Sequence, residues 1–150
     1  MRVGILPFGF KYAGIVLFLA GLVLSYLVFA NNYKPDFLNI PVFAVYSAYM
    51  SKTIFGITQT NLADELAIIL NLTGLAFLAF SREKNEKSHF ETTRAKALLY
   101  AVLMNIVFLL LCTLFIFGTG YIAVLIINIF SILIFYLIFY YAFLIKSLQK

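Results

Sequence analysis

Three stretches free of Asp, Glu, Lys and Arg dominate the chain: Ala13 to Ala30, Ala97 to Phe117 and Tyr121 to Ile145, of 18, 21 and 25 residues. At 1.5 Å per residue each makes a helix of about 27 Å or more, close to the roughly 30 Å hydrocarbon core of a bilayer. Charged residues are 11% of the 150, whereas a soluble domain carries roughly a quarter. The chain therefore reads as an integral membrane protein. Spans of about 20 residues use up most of its length, so a single transmembrane domain over residues 1–150 is expected.

A fourth span is shorter. Leu66 to Phe80 is apolar apart from Asn71 and Thr73, but its 15 residues cover only about 22 Å. To cross, this helix must start near Asn61 or Leu62, which draws Asp64 and Glu65 to the edge of the hydrocarbon. The expected fold is all-α, a four-helix transmembrane bundle with spans at about 12–30, 62–81, 95–117 and 121–145. Between the first two spans, Val42 to Met50 is expected as a short amphipathic outer-surface or re-entrant helix, with Ser47, Ser51 and Lys52 towards water.

With both termini inside, Arg2, Lys11, Arg82, Lys84, Lys87, Arg94, Lys96, Lys146 and Lys150 are cytoplasmic, and only Lys34 and Lys52 are outside. That asymmetry is what the positive-inside rule requires. A rival reading makes Phe37 to Thr58 a fifth span with the N-terminus outside. It puts Lys52 in the membrane at about 2.5–3.5 kcal/mol, beside Pro41 and Gly56. Arg2 and Lys11 ahead of an apolar run also have the outline of a secretory signal, although 18 residues is long for one and Tyr26 and Phe29 crowd the cleavage site.

The charged island from Arg82 to Lys96 is read as a cytoplasmic basic loop formed by Arg82, Lys84, Lys87, Arg94 and Lys96. Glu83 with Lys87 and Glu91 with Arg94 have the spacing of pairs on a solvated helix face, and the remaining cations suit anionic headgroups. Ser88-His89-Phe90-Glu91 matches the capping box that starts a helix. Gly118-Thr119-Gly120 marks a tight turn joining the last two spans. Tyr136, Tyr140 and Tyr141 fit an aromatic belt at headgroup level. The net charge of +5 is spent on orientation, and no nucleic-acid partner is implied.

Helices in lipid associate through small and polar residues. Gly14, Gly21 and Ser25 share a face of the first span, and Asp64, Asn71 and Gly74 share a face of the second. Arg94, Ala101, Asn105 and Cys112 align on the third, and Asn128 and Ser131 on the fourth. Counting from the inner charges sets Asn71 and Asn105 at about 16 and 14 Å, which predicts an amide pair. The same count sets Asp64, Thr113 and Asn128 at about 26–27 Å, an outer polar layer. Asp64, Glu65, Asn71, Asn105, Thr113 and Asn128 form the candidate intramembrane polar site. The amides read as packing glue or as the lining of a solute path. The two acids read as a cap on the second helix with Lys52 as a pairing partner, or as a proton-linked site.

No phosphate loop, H-E-x-x-H, G-x-S-x-G or cysteine cluster is present, and His89 and Cys112 stand alone. No catalytic residue, metal ligand or cofactor is therefore assigned. Leu6-Pro7-Phe8-Gly9-Phe10-Lys11, Asp64-Glu65-Leu66 and Phe80-Ser81-Arg82-Glu83-Lys84 resemble a group of small four-span bacterial membrane proteins. That group tends towards an acidic run after the lysine, where this chain has Asn85-Glu86-Lys87-Ser88. The resemblance implies four spans in a bacterial inner membrane and carries no activity. The expected role is a non-catalytic accessory component whose partners are the bilayer and another membrane protein or a second copy of itself. The alternative is a small transporter or channel.

Overall fold

The computed structural model describes residues 5–47, 53–84 and 89–148. Helix α1, Gly9–Ser25, is prolonged by a π-helical turn over Tyr26–Ala30. Pro7 stands just ahead of it, where a missing N–H is harmless, and its carbonyl accepts the N–H of Phe10 at 3.0 Å. Helix α2 is Ala63–Phe80, α3 is His89–Phe115 and α4 is Thr119–Leu148. All four are long and apolar enough to cross a membrane. Helix α3 starts directly after Ser88 of the expected capping box, but Ser88 itself lies outside the described residues.

Residues 39–61 depart from expectation. Strand β1, Asn39–Ser47, pairs antiparallel with β2, Thr53–Asn61, with Asn39 opposite Asn61 and Phe43 opposite Ile57. The described residues form neither the amphipathic surface helix expected from Val42 nor a fifth span through Phe37 to Thr58. The reason is local chemistry: Ile40, Val42, Val45, Thr53, Ile54, Ile57, Thr58 and Thr60 are β-branched and lose side-chain freedom in a helix. Pro41 would also break a helix, whereas in a two-stranded sheet every strand has an open edge where proline is tolerated. Met50, Ser51 and Lys52 lie outside the described residues.

Two compact units divide the chain, one of residues 1–16 with 72–150 and one of residues 17–71. In the first, the core is Ala79, Ala97, Ala101, Tyr136 and Tyr140. Alanines one turn apart on α3 leave room for the tyrosines of α4, whose rings stack at 5.9 Å. Tyr136 and Tyr140 are thus 7% and 3% exposed, buried in protein and not part of an aromatic belt at the lipid surface. For Tyr136 and Tyr140 the belt expectation does not hold, because an α4 tyrosine faces whatever its neighbouring helix leaves vacant and small α3 residues leave a slot; Tyr141 is half-buried.

Each unit also contains one close approach of α1 to α2. A Cβ on Gly14 would lie 3.0 Å from the carbonyl oxygen of Gly74, and one on Gly21 would lie 2.8 Å from the backbone nitrogen of Asn71. Backbone meets backbone there, which only glycine permits. Around Gly9 nothing lies within 4 Å. Gly14→Ala and Gly21→Ala are each expected to destabilise the protein by about 1–3 kcal/mol in detergent unfolding titrations, with Gly9→Ala near neutral.

Candidate functional site

A polar side chain with several partners lies where α2 ends. The last carbonyls of any helix lack intrahelical partners and carry the negative end of its dipole. Arg94, one turn into α3, answers that need: its Nη2 donates to the Ser81 carbonyl at 2.7 Å and its Nη1 to the Ala79 carbonyl at 3.1 Å. Nη1 also reaches the Tyr136 hydroxyl at 3.4 Å, and the guanidinium lies 4.8 Å over the Tyr140 ring. Arg94 is 8% exposed. It is therefore a buried clamp, which corrects its reading as a solvated partner of Glu91. The forked guanidinium can reach two carbonyls of the helix end at once, those of Ala79 and Ser81.

The segment before α1 joins the same end. Leu6 accepts the N–H of Arg82 at 3.0 Å and donates its own to the Phe80 carbonyl at 3.2 Å. Ser81, buried, donates its hydroxyl back to the Phe77 carbonyl. Glu83 is gripped by Lys11, whose Nζ lies 2.7 and 2.8 Å from its two oxygens and 5.2 Å from the Tyr141 ring centre. Glu83 is thereby held by a cation 72 positions away, whereas Lys87, its expected partner, lies outside the described residues. Lys84 and Lys96 are exposed, and Arg82 is half-buried.

Beside the clamp runs an open groove of about 470 Å³ lined mainly by Ile5, Phe80, Leu98, Ile132 and Leu133, with Glu91, Arg94 and Tyr136 also on its wall. This ensemble can hold chain segments together and present an apolar slot next to a fixed positive charge. Among the described residues no group of three or more His, Cys, Asp or Glu has the makings of a metal site.

The expected intramembrane site resolves into separate small networks. Asn71 donates to Ser25 Oγ and to the Ala67 carbonyl, both at 2.8 Å. Asn105 accepts from Asn128 at 3.3 Å and from the Ser131 hydroxyl. The predicted partnership of Asn71 with Asn105 is thus replaced by two others, and Asn128 sits beside Asn105. Counting from the charges misled because the Gly118 turn sets the α3–α4 register: Asn105 lies 13 residues before Gly118 and Ser131 lies 13 after (118 − 105 and 131 − 118). Thr113, exposed, donates to the Leu109 carbonyl at 2.8 Å and lies 3.0 Å from the Tyr121 hydroxyl.

Asp64 and Glu65 occupy the first turn of α2, where acids complement the helix dipole. Asp64 pairs with Lys34 at 2.7 Å; Lys52 lies outside the described residues. Asp64 Oδ1 and Glu65 Oε2 are buried without a hydrogen-bond partner among the described residues. Sequence spacing had aligned Arg94 with Ala101 and Asn105, which was a legible sign that it faces inwards. Nothing in the sequence linked Lys11 to Glu83 or Lys34 to Asp64.

Comparison with protein-family models, curated proteins and solved structures gives no match to this chain. The likeness to four-span bacterial proteins consequently rests on the quoted motifs alone.

Removing the clamp tests how much it holds. Arg94→Ala is expected to destabilise the protein by about 3 kcal/mol, since two buried carbonyls lose charged donors. Arg94→Lys should recover only part of this, because an ammonium lacks the fork. Melting temperature in detergent is the measurement.

Proposed function

We propose that this chain is a four-span bundle in a bacterial inner membrane, with both termini cytoplasmic, and that it serves as a non-catalytic accessory component binding another membrane protein. One observation carries the reading. Asparagine and serine side chains within the helices hydrogen-bond to one another in short networks, Ser25–Asn71 in one unit and Asn105–Asn128–Ser131 in the other. Such pairs act as glue between helices, each contributing roughly 0.6–2 kcal/mol, whereas a solute path needs polar groups turned towards water. The remaining helix surface, including Leu103, Leu110 and Leu114 of α3, is exposed and apolar, suited to lipid or to a partner's helices.

A second reading, a small proton-linked transporter, draws on the unpartnered buried oxygens of Asp64 and Glu65. Carboxylates at the start of a membrane-spanning helix mark a functional site by default, and a proton-coupled site would use them. Two measurements separate the readings. Purification from native membranes in mild detergent is expected to yield one companion membrane protein at constant stoichiometry, and proteoliposomes of the chain alone are expected to carry no more ion or proton flux than empty vesicles. Flux that disappears in Asp64→Asn at unchanged melting temperature would overturn the accessory reading in favour of transport.

A further inference from the structure

The β1–β2 hairpin wears its apolar face outwards. Phe43 and Ile57 are direct cross-strand partners. Val45 and Phe55 lie two residues along from them, so all four side chains share one face of the sheet. They are 67%, 75%, 58% and 69% exposed, while Val42, Ala44, Gly56 and Thr58 on the opposite face are half-buried. Residues 37–47 and 53–61 contain no charged side chain. Phe55 moreover holds φ at +49°, a left-handed backbone unusual for an aromatic residue, and keeps its ring on the exposed face. In water a two-stranded hairpin is marginal, and such a face calls for a cover.

The attachment of the hairpin identifies that cover. One residue, Leu62, separates β2 from α2, and its N–H donates to the Leu38 carbonyl at 3.1 Å. Asn61 donates to the Pro35 carbonyl at 2.9 Å and accepts the N–H of Ala63 at 3.1 Å, and Lys34 bridges to Asp64. The base of the hairpin is thus bonded to the first turn of a helix apolar enough to cross a membrane. Its open strand edges bar it from the hydrocarbon, where unpaired N–H and C=O groups find no partners. Headgroups and interfacial water supply those partners, and the acyl boundary beneath accepts apolar side chains.

We infer that the hairpin lies on the bilayer surface where α2 enters, with Phe43, Val45, Phe55 and Ile57 inserted at the headgroup–acyl boundary. This rests on the membrane-spanning reading of α2 and is independent of the accessory role. The chain has no tryptophan, so single tryptophans report position without background. Phe43→Trp, Ile57→Trp, Thr58→Trp and Ile127→Trp are reconstituted into phosphatidylethanolamine–phosphatidylglycerol vesicles containing lipid brominated high on the acyl chain. Tryptophan at 43 or 57 is expected to be quenched roughly twofold or more by brominated lipid, and at 58 far less. Ile127, exposed in the first third of α4, is the control for spanning. If it is quenched while 43 and 57 answer only to aqueous iodide, the face is open to water and the inference falls alone. Shielding of 43 and 57 from both quenchers also overturns it, since protein then covers the face. Failure of Ile127→Trp to be quenched overturns the membrane reading beneath it. Phe55→Trp replaces Phe43→Trp should the latter not fold.

Discussion

Helix α2 ends against protein, and a helix end so placed leaves carbonyls that must be answered from elsewhere in the chain. Arg94 supplies that answer, and its guanidinium lies between the Ala79 and Ser81 carbonyls, the Tyr136 hydroxyl and the Tyr140 ring. A buried guanidinium is itself costly, and it is tolerated because the end of a helix offers both acceptors and a negative dipole. The neighbouring features follow from this constraint. Ala97 and Ala101 keep α4 close enough for its tyrosines to meet the cation, and Leu6 pairs with the backbone that Arg94 holds in place. The end of α2 is therefore a junction of three helices and the N-terminal segment.

A similar economy governs the polar residues within the helices. The amides of Asn71 and Asn128 find acceptors on their own or an adjacent helix, and the α3–α4 network forms at the depth set by the turn that joins them. Charge boundaries describe where a span meets water. They do not describe which residues of two helices lie level, because helices of unequal length overrun the boundary by different amounts. A tight connection such as Gly118 fixes that register directly, with its left-handed φ of +70° reversing the chain in few residues.

Much of this was legible in the residues. The four apolar helices, their approximate limits and the Gly118 turn follow from run length and from glycine. The small-residue faces carrying Gly14, Gly21, Ala101 and Asn105 follow from helical spacing. The hairpin is not legible in segment length and hydrophobicity, whereas the β-branching of Ile40-Pro41-Val42 and Thr58-Gln59-Thr60 speaks against a helix. Of the site, the spacing of Arg94 puts it on the inward stripe, while its charge suggests a solvated loop. For an arginine near a helix end, spacing was the better guide, because carbonyls can take the place of water around it.

What the sequence determined by itself was the solvent for each segment. Long uncharged runs make helices apolar enough to cross a membrane, and β-branched residues beside a proline leave a short segment little choice but strand. Only the tertiary structure decided which polar groups meet. Lys11 with Glu83, Lys34 with Asp64 and Arg94 with the end of α2 join positions 72, 30 and 13–15 residues apart. Such pairings depend on how helices are set side by side, a property of packing geometry to which no local preference of the residues contributes.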